Sequence, residues 1–458
     1  MFEPQMGIES VLGGGTSTAA PADSPLAPAA DERPPPAQRT NEPEVSGRVT
    51  RSPVVCPSTL IQCIHGSCSE SGSCVCIDGY TDPTCSTDID DCAAQACYSG
   101  GRCSDRIAGY VCDCTGLAYA GPQCRFERFR GLPISSGLTL FPAAVSGDGR
   151  VVVGTTSSGE DSIGSFRWTI TDELALYSDL GTGVRGLSQD GAVLLGVDSG
   201  TTDVSFVWRD TSGRVTLPAP DGLPSCVASD LDRDGSHVTG TCYDAERTAW
   251  NAVRWVVRDG MARVDVLPNS LGGTQSNGYA INADGTRISG SSFAAGGHAM
   301  LWTLSETALP FGEDLGLLPN AGVYPTARAL SEDGLSVAGD DGSNAFTWTQ
   351  IQGIRLLPQP VPADASASGF AIDMDAAGSV VVGGLLPSAG GTAFETLVWD
   401  ANGAHRLRQL LVDAGVVASA IEGWQLSNPS AISADGLSVV GVGISPSGEQ
   451  RGWIAHLR

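Results

Sequence analysis

From Phe126 onward the chain alternates short apolar runs with glycine-rich polar turns, and the alternation keeps one internal order. A segment of small residues leads into a turn, a β-branched segment ending in Gly follows, and then comes an apolar segment carrying a Trp. Ser146-Gly147-Asp148-Gly149 leads to Val151-Val152-Val153-Gly154. The turn recurs at Asp190-Gly191, Asp234-Gly235, Asp284-Gly285, Asp333-Gly334 and Asp435-Gly436. A degenerate copy reads Ala377-Gly378 before Val380-Val381-Val382-Gly383, which makes seven copies. The Trp positions are Trp168, Trp208, Trp255, Trp302, Trp348, Trp399 and Trp453, so seven of the nine tryptophans occupy one equivalent place. A third apolar segment usually follows, as in Leu356-Leu357-Pro358.

Each signal has a physical reason. Asp-Gly tolerates the positive φ of a tight hairpin. The alternation in Ala327-Arg328-Ala329-Leu330-Ser331 puts one side of a strand in and the other out. One Trp per unit supplies a large apolar anchor between neighbouring sheets. Successive turn glycines lie 42 to 58 residues apart, which matches the blades of a propeller. The expected fold is therefore mainly β, with residues 126–458 forming a seven-bladed β-propeller. The last copy ends on its Trp strand with no partner after it. Phe129 to Leu132 resembles the missing strand and is expected to complete the last blade, which removes an open edge. Leu407-Arg408-Gln409-Leu410-Leu411-Val412 reads as a short helix ending near Gly415.

Ahead of this region the pattern changes. Residues 1–55 are read as a linker, rich from residue 13 in Pro, Ala, Ser, Thr and Gly, which cannot bury enough surface to offset its ordering entropy. Twelve of the fourteen cysteines then fall between Cys56 and Cys124, as two sets of six. The first set is Cys56, Cys63, Cys68, Cys74, Cys76 and Cys85, in a module over 56–86. The second is Cys92, Cys97, Cys103, Cys112, Cys114 and Cys124, in a module over 87–125. Such frameworks do not survive among reduced cytosolic thiols, so the chain is expected to be extracellular or at a cell surface. Met1 to Leu12 holds no apolar stretch of signal type; the cysteines outweigh that. Spacing alone allows 15 pairings for each set.

Composition narrows the chemistry. The formal charge of −25 argues against nucleic acid and anionic membranes as partners and favours cations such as calcium. The chain contains no lysine, which removes the P-loop, the pyridoxal Schiff base and the kinase strand lysine. No apolar run approaches a membrane span. His65, His237, His298, His405 and His456 show no metal spacing, and no nucleophile elbow or zinc-protease motif is present. Gly181-x-Gly183-x-x-Gly186 matches a dinucleotide fingerprint by letter only, since it lies in a β-repeat with no following helix. Asp230-x-Asp232-x-Asp234-Gly235 resembles the opening of an EF-hand loop, but its twelfth position is Thr241, which excludes a true EF-hand; turn formation is the expected role, and a second calcium site is the alternative. Cys226 and Cys242 stand at opposite ends of the hairpin around that turn and are expected to form a cross-strand disulfide; two free buried thiols are the alternative.

Two resemblances add to this. Gly297-His298-Ala299-Met300-Leu301-Trp302, Asn344-Ala345-Phe346-Thr347-Trp348 and the closing stretch from Gly423-Trp424 to Gly452-Trp453 resemble bacterial extracellular HAF repeats, a family that implies little about activity. Cys74-x-Cys76-x2-Gly79-Tyr80-x4-Cys85 resembles the end of an EGF-like module. Cys103-x-Asp105-x4-Tyr110-x-Cys112, preceded by Asp88-Ile89-Asp90-Asp91-Cys92, resembles the calcium-binding type. The resemblance implies bridges Cys56–Cys68, Cys63–Cys74, Cys76–Cys85, Cys92–Cys103, Cys97–Cys112 and Cys114–Cys124. It also implies a calcium site in the second module only, with side-chain oxygens from Asp88, Asp91 and Asp105 and the carbonyl of Ile89, which suits an ion wanting six to eight oxygens. Asp91 stands where that family usually has Glu.

The function expected from these features is non-enzymatic binding of an extracellular protein or carbohydrate by a monomer, with calcium stiffening the neck. A polysaccharide lyase or glycosidase working in the propeller channel is the alternative, and a spacer without ligand is a third reading. The channel lining discriminates: convergent carboxylates favour an enzyme, and Gly, Ser and Ala favour binding.

Overall fold

The computed structural model describes residues 53–457, apart from 58, 94–95, 122, 134–136, 160, 172, 179, 181–182, 295, 306–308, 317–324, 361–367 and 387–393. The expected linker lies outside the described residues except for its last three. Residues 54–458 form one compact unit.

Among the described residues, seven four-stranded antiparallel sheets form the blades of a β-propeller. The innermost strands are Thr139–Val145, Gly183–Leu187, Ser225–Leu231, Ser276–Ile281, Thr326–Leu330, Ser368–Met374 and Pro429–Ile432, for blades 1 to 7 in order. Each lies against the innermost strand of the next blade, and that of blade 7 lies against that of blade 1. The expected closure strand is present. Phe129–Gly131 pairs with Gln450–His456, with Phe129 opposite Ala455 and Gly131 opposite Trp453, and supplies the outer strand of blade 7.

The repeating residues explain the repeating geometry. The seven turn glycines, Gly149, Gly191, Gly235, Gly285, Gly334, Gly378 and Gly436, all have φ between +66 and +74°, a region a side chain disfavours. The residue three places before each Gly caps the turn. Ser188 Oγ, for example, accepts the Val193 N–H at 2.9 Å. The turns are also tied to one another. Gly147 N–H donates to Gln189 O, Gln189 to Arg233 O, Ala283 to Glu332 O, Glu332 to Ala376 O, Ala376 to Ala434 O, and Asp435 to Gly147 O, all within 3.2 Å. One rim of the ring is thus joined by main chain.

Glycine in the second strand has a different cause. Every innermost strand carries a register shift, as between Gly278 and Ala280 or Ala327 and Ala329. The carbonyl before the shift presses on the neighbouring strand. A Cβ at Gly290 would lie 1.9 Å from Asn277 O, and one at Gly339 would lie 1.9 Å from Thr326 O. The tryptophans anchor blade to blade. Trp255, Trp302 and Trp399 donate Nε1–H to Pro218 O, Pro268 O and Pro358 O, at 2.7, 2.9 and 2.7 Å. Those carbonyls lie just past the outer strand of the preceding blade, so the Leu-Pro pairs are receptors for the indoles.

The insertion before blade 7 contains two helices: α1, Leu407–Asp413, as expected, and α2, Ala418–Ile421, which the sequence pattern did not indicate. Gly415, at φ +105°, follows α1 and abuts the second disulfide module: a Cβ there would lie 2.5 Å from the Gly116 carbonyl carbon. Arg128, 3% exposed, fixes the same junction. Its Nε and Nη2 donate to Leu117 O and Cys114 O at 2.8 and 3.1 Å, while its carbonyl accepts the His456 N–H of blade 7 at 2.7 Å. The module therefore sits on the ring instead of swinging from it.

Candidate functional site

Within 56–124 the bonded cysteine pairs are Cys56–Cys68, Cys63–Cys74, Cys76–Cys85, Cys92–Cys103, Cys97–Cys112 and Cys114–Cys124. In blade 3, Cys226 is bonded to Cys242 across the two inner strands, with a Cα–Cα separation of 4.1 Å.

The acidic residues at the joint of the two modules fall into two groups. Asp88 belongs to a two-residue strand, Thr87–Asp88, paired with Tyr80–Thr81, and Ile89 N–H donates to Gly79 O at 2.8 Å. These two residues close the first module. Gly79 in turn abuts Ala108 of the second, where a Cβ would lie 2.4 Å from the Ala108 nitrogen. Asp105 Oδ1 accepts the Asp91 N–H at 2.9 Å, and Asp91 Oδ2 is buried without a hydrogen-bond partner. The carboxylates of Asp90 and Asp105 come within 4.8 Å of each other. The expected set did not include Asp90; its side chain also accepts the Cys92 N–H at 2.9 Å.

Of the three carboxylates of the Asp230–Asp234 stretch, Asp232 and Asp234 stay together at the turn and Asp230 parts from them. Asp232 accepts from Ser236 Oγ and contacts His237 Nδ1 at 2.7 Å, and Asp234 accepts the Ser236 N–H. Asp230 leaves the turn altogether and has a counterpart in Asp373 on blade 6. Asp230 Oδ1 accepts the Leu231 N–H at 2.8 Å and its Oδ2 the Ile281 N–H of blade 4 at 2.9 Å. Asp373 takes the Met374 N–H at 2.8 Å and the Ile432 N–H of blade 7 at 2.9 Å. The equivalent residues elsewhere are Ala144, Gly186, Ala280, Ala329 and Ala431. Enclosure by protein pushes the Asp230 carboxyl up to about 7, with the charge of Asp373 adding to the effect. Burial pushes Asp373 up to about 6.

These shifts give a stability prediction. A carboxyl whose pKa rises on folding contributes stability below its unfolded value of 3.8, and that stability is lost as pH rises through the folded value. Buried His456, held down to about 4 by desolvation, works the opposite way: unfolded, it is half charged at its ordinary 6.5, so its neutralisation above that pH returns about 0.4 kcal/mol of the loss. From pH 6.5 to 8.5 the fold is therefore expected to lose about 1 kcal/mol through Asp230. Melting temperatures at the two pH values should show this fall, and Asp230→Asn should flatten it. An unchanged slope in the variant refutes the assignment.

The remaining histidines are engaged singly. His298 Nδ1 meets Asp314 Oδ2 at 2.9 Å, His405 Nε2 meets Asp400 Oδ1 at 3.0 Å, and His65 stacks on Tyr80. Gly181 lies outside the described residues, and Gly183–Leu187 is a strand, so the dinucleotide fingerprint has no helix to serve.

No family model matches the chain. Among curated proteins it is similar to Neurexin like receptor 1 of Caenorhabditis elegans, with 31% identity over 91 residues, covering 19% of this chain and 7% of that protein. It is also similar to the EGF-like repeat and discoidin I-like domain-containing protein 3 of Homo sapiens, with 32% identity over 82 residues, covering 14% and 17%. The match spans under a fifth of the length of either relative. These likenesses fit EGF-like modules in the disulfide-rich N-terminal region. Among solved structures, the β-propeller domain of the Trilobed protease from Pyrococcus furiosus aligns over 71% of this chain and 97% of its own, at 9% identity and TM-score 0.46. The Cps50 (Swd1) β-propeller domain of Myceliophteria thermophila aligns over 71% and 99%, at 14% identity and TM-score 0.46.

Proposed function

We propose that the chain is a secreted or surface-held, non-enzymatic binding protein. Its propeller, of the HAF-repeat type, presents a recognition surface for an extracellular protein or carbohydrate, and calcium stiffens the EGF-like modules that carry it. The observation behind this reading is the state of the two carboxylates carried by the innermost strands. Both oxygens of Asp230 and both of Asp373 accept main-chain N–H bonds, each pair joining two blades. A general acid or nucleophile needs an oxygen free for substrate; these are structural staples, and the matching positions in the other five blades are Ala or Gly. The disulfides and the EGF-like relatives support an extracellular setting. Among the described residues no helix is long and apolar enough to cross a membrane.

Calcium fits the residues at the module joint. Asp91 Oδ2, buried and without a donor, is an oxygen that an ion would satisfy. Asp105 and Asp90 bring their carboxylates within 4.8 Å of each other, and Asp105 also holds the Asp91 N–H; Asp88 and the Ile89 carbonyl complete the proposed oxygen set. Cys92, although near, is spent in its disulfide. Calorimetric titration of the full chain with calcium is expected to show one site in the modules, abolished by Asp105→Ala. Absence of heat at millimolar calcium removes the calcium part of the proposal. A glycan and surface-protein array, probed with and without calcium, tests the rest: specific retention of a ligand supports binding, and cleavage of an arrayed polysaccharide with no retention overturns it.

A further inference from the structure

A crevice of about 380 Å³ opens where the second disulfide module meets the ring. Tyr119 and Glu127 wall it on the module side, Ala420 and Trp424 on the side of the helical insertion, and the closure strand Phe129–Gly131 borders it along its length. Successive side chains of a strand point to opposite faces. Phe129 and Gly131 look toward the insertion: the Phe129 ring meets Trp424 edge-on, with centres 5.2 Å apart, and a Cβ at Gly131 would lie 2.9 Å from the Trp424 ring. Arg130 sends its side chain the other way, with its Cζ 5.3 Å from the Trp168 ring centre. All three residues nevertheless line the crevice, so it follows the edge of the strand and not one face alone.

That edge is unpaired. In an antiparallel ladder alternate residues bond to the partner strand, and those between them aim their N–H and C=O the other way. Leu132 N–H donates to Gly452 O at 2.8 Å and Arg128 O accepts the His456 N–H at 2.7 Å, so residues 128, 130 and 132 serve Gln450–His456. Phe129 and Gly131 therefore aim their main-chain groups outward, and Arg451 Nη2 meets one of them, Gly131 O, at 3.5 Å. Among the described residues the Phe129 N–H, the Phe129 C=O and the Gly131 N–H have no hydrogen-bond partner, although Phe129 is 8% exposed. Main-chain groups so enclosed call for partners. Outer strands such as Met261–Val266 and Gly353–Leu356 lie open, with exposed side chains. Here the module and the insertion stand beside the edge without covering it, and leave a slot. A residue lying opposite Phe129 would exchange both main-chain bonds with it, and the next acceptor would meet the Gly131 N–H. Donor, acceptor, donor at that spacing is the repeat of a β-ladder, which another strand matches and a sugar does not. Trp424 and Ala420 offer an apolar wall to alternate side chains, and exposed Glu127 disfavours an acidic segment.

We infer that this crevice takes a short extended segment of a partner protein as an added strand on Phe129–Gly131, with main-chain bonds at Phe129 and Gly131 and an apolar side chain against Trp424. The inference rests on the binding reading above and names a partner class and a place for it. The test pans a displayed library of random heptapeptides on the full chain and synthesises the peptide that is enriched. That peptide should alternate apolar and polar residues and slow hydrogen exchange at the Phe129 and Gly131 amides at least about tenfold. Backbone N-methylation of its strand-facing residues, which removes donors and leaves side chains alone, should weaken binding at least about tenfold. Ala420→Trp, which fills the crevice from an exposed position on its wall, should weaken binding by a similar factor without moving the melting temperature of the free chain. No enriched peptide, N-methylation tolerated at every position, or unchanged affinity in a folded Ala420→Trp chain overturns the inference. So does self-association of the chain that Ala420→Trp abolishes while no peptide is enriched, which gives the crevice to a second copy. If that variant does not fold, N-methylation and amide exchange on the unaltered chain decide. Array retention of a glycan or a protein with no peptide enriched removes this site alone; a silent array as well removes the broader reading.

Discussion

A chain that begins at Pro133 is expected to lose cooperative folding and to aggregate, while one that begins at Phe126 keeps a sharp thermal transition. The only difference between them is the segment that supplies the outer strand of blade 7. Its loss strips the ladder from Gln450–His456 and leaves an open edge, which recruits other chains. It also removes Phe129 and Leu132, 8% and 0% exposed. Burial of each contributes roughly 1.5–3 kcal/mol, set against a total stability of about 5–15 kcal/mol for a folded domain. Arg451 loses its carbonyl acceptors at the same time. Circular dichroism melts and size exclusion of the two chains compare the outcomes directly, and coincident melting curves would show that the ring closes by other means.

Mild reduction is expected to unfold the N-terminal modules completely and leave the propeller standing. Among the described residues there are seven clusters of buried apolar side chains, and none draws a residue from 56–125. In the modules the buried apolar residues are mostly the bonded cysteines themselves, such as Cys56, Cys63, Cys85 and Cys124 at 0% exposed. A small domain without a core depends on its cross-links, each contributing about 2–5 kcal/mol. Cys226 and Cys242, 2% and 0% exposed inside blade 3, are out of reach of a reductant until the ring opens. Alkylation and mass spectrometry should therefore label twelve of the fourteen cysteines, and limited proteolysis should leave a resistant fragment starting near Phe126. Labelling of Cys226 at the same rate as the others refutes the distinction.

The parts of the fold that were legible in the sequence are those imposed by local chemistry and repeated. A positive φ at each turn Gly, a bulge carbonyl against most of the strand glycines and an indole in each blade leave closely similar letters seven times. The closure strand was legible because blade 7 ends one strand short. The helix over Leu407–Asp413 was visible from its apolar spacing, whereas Ala418–Ile421 is a single turn with no pattern of its own. Docking of the second module through Arg128 and Gly415 could not be read, because each contact occurs once and joins distant segments. Asp230 was hidden for a different reason. It reads as part of an acidic turn with Asp232 and Asp234, but the bulge at the end of its strand turns its carboxylate away from them. Asp373 lacks even that disguise: nothing adjacent marks it, and only the ring relates it to Asp230. At the module joint, motif position points to Asp88, Ile89, Asp91 and Asp105 and not to Asp90, because position along the chain does not say which carboxylates meet in space.

The closure strand is also the covalent continuation of the modules. Tension between a ligand held by the ring and an anchorage ahead of the modules would follow the covalent path through Phe126 to Leu132, alongside the module's contact with the ring at Gly415. There the pull runs along Phe129–Gly131 and shears it against Gln450–His456, so that its ladder bonds are strained together and not peeled one by one. Arg128, gripping Cys114 O and Leu117 O on one side and His456 N–H on the other, diverts part of that tension around the strand. The same few residues that make the circle complete would thus set the force at which it opens.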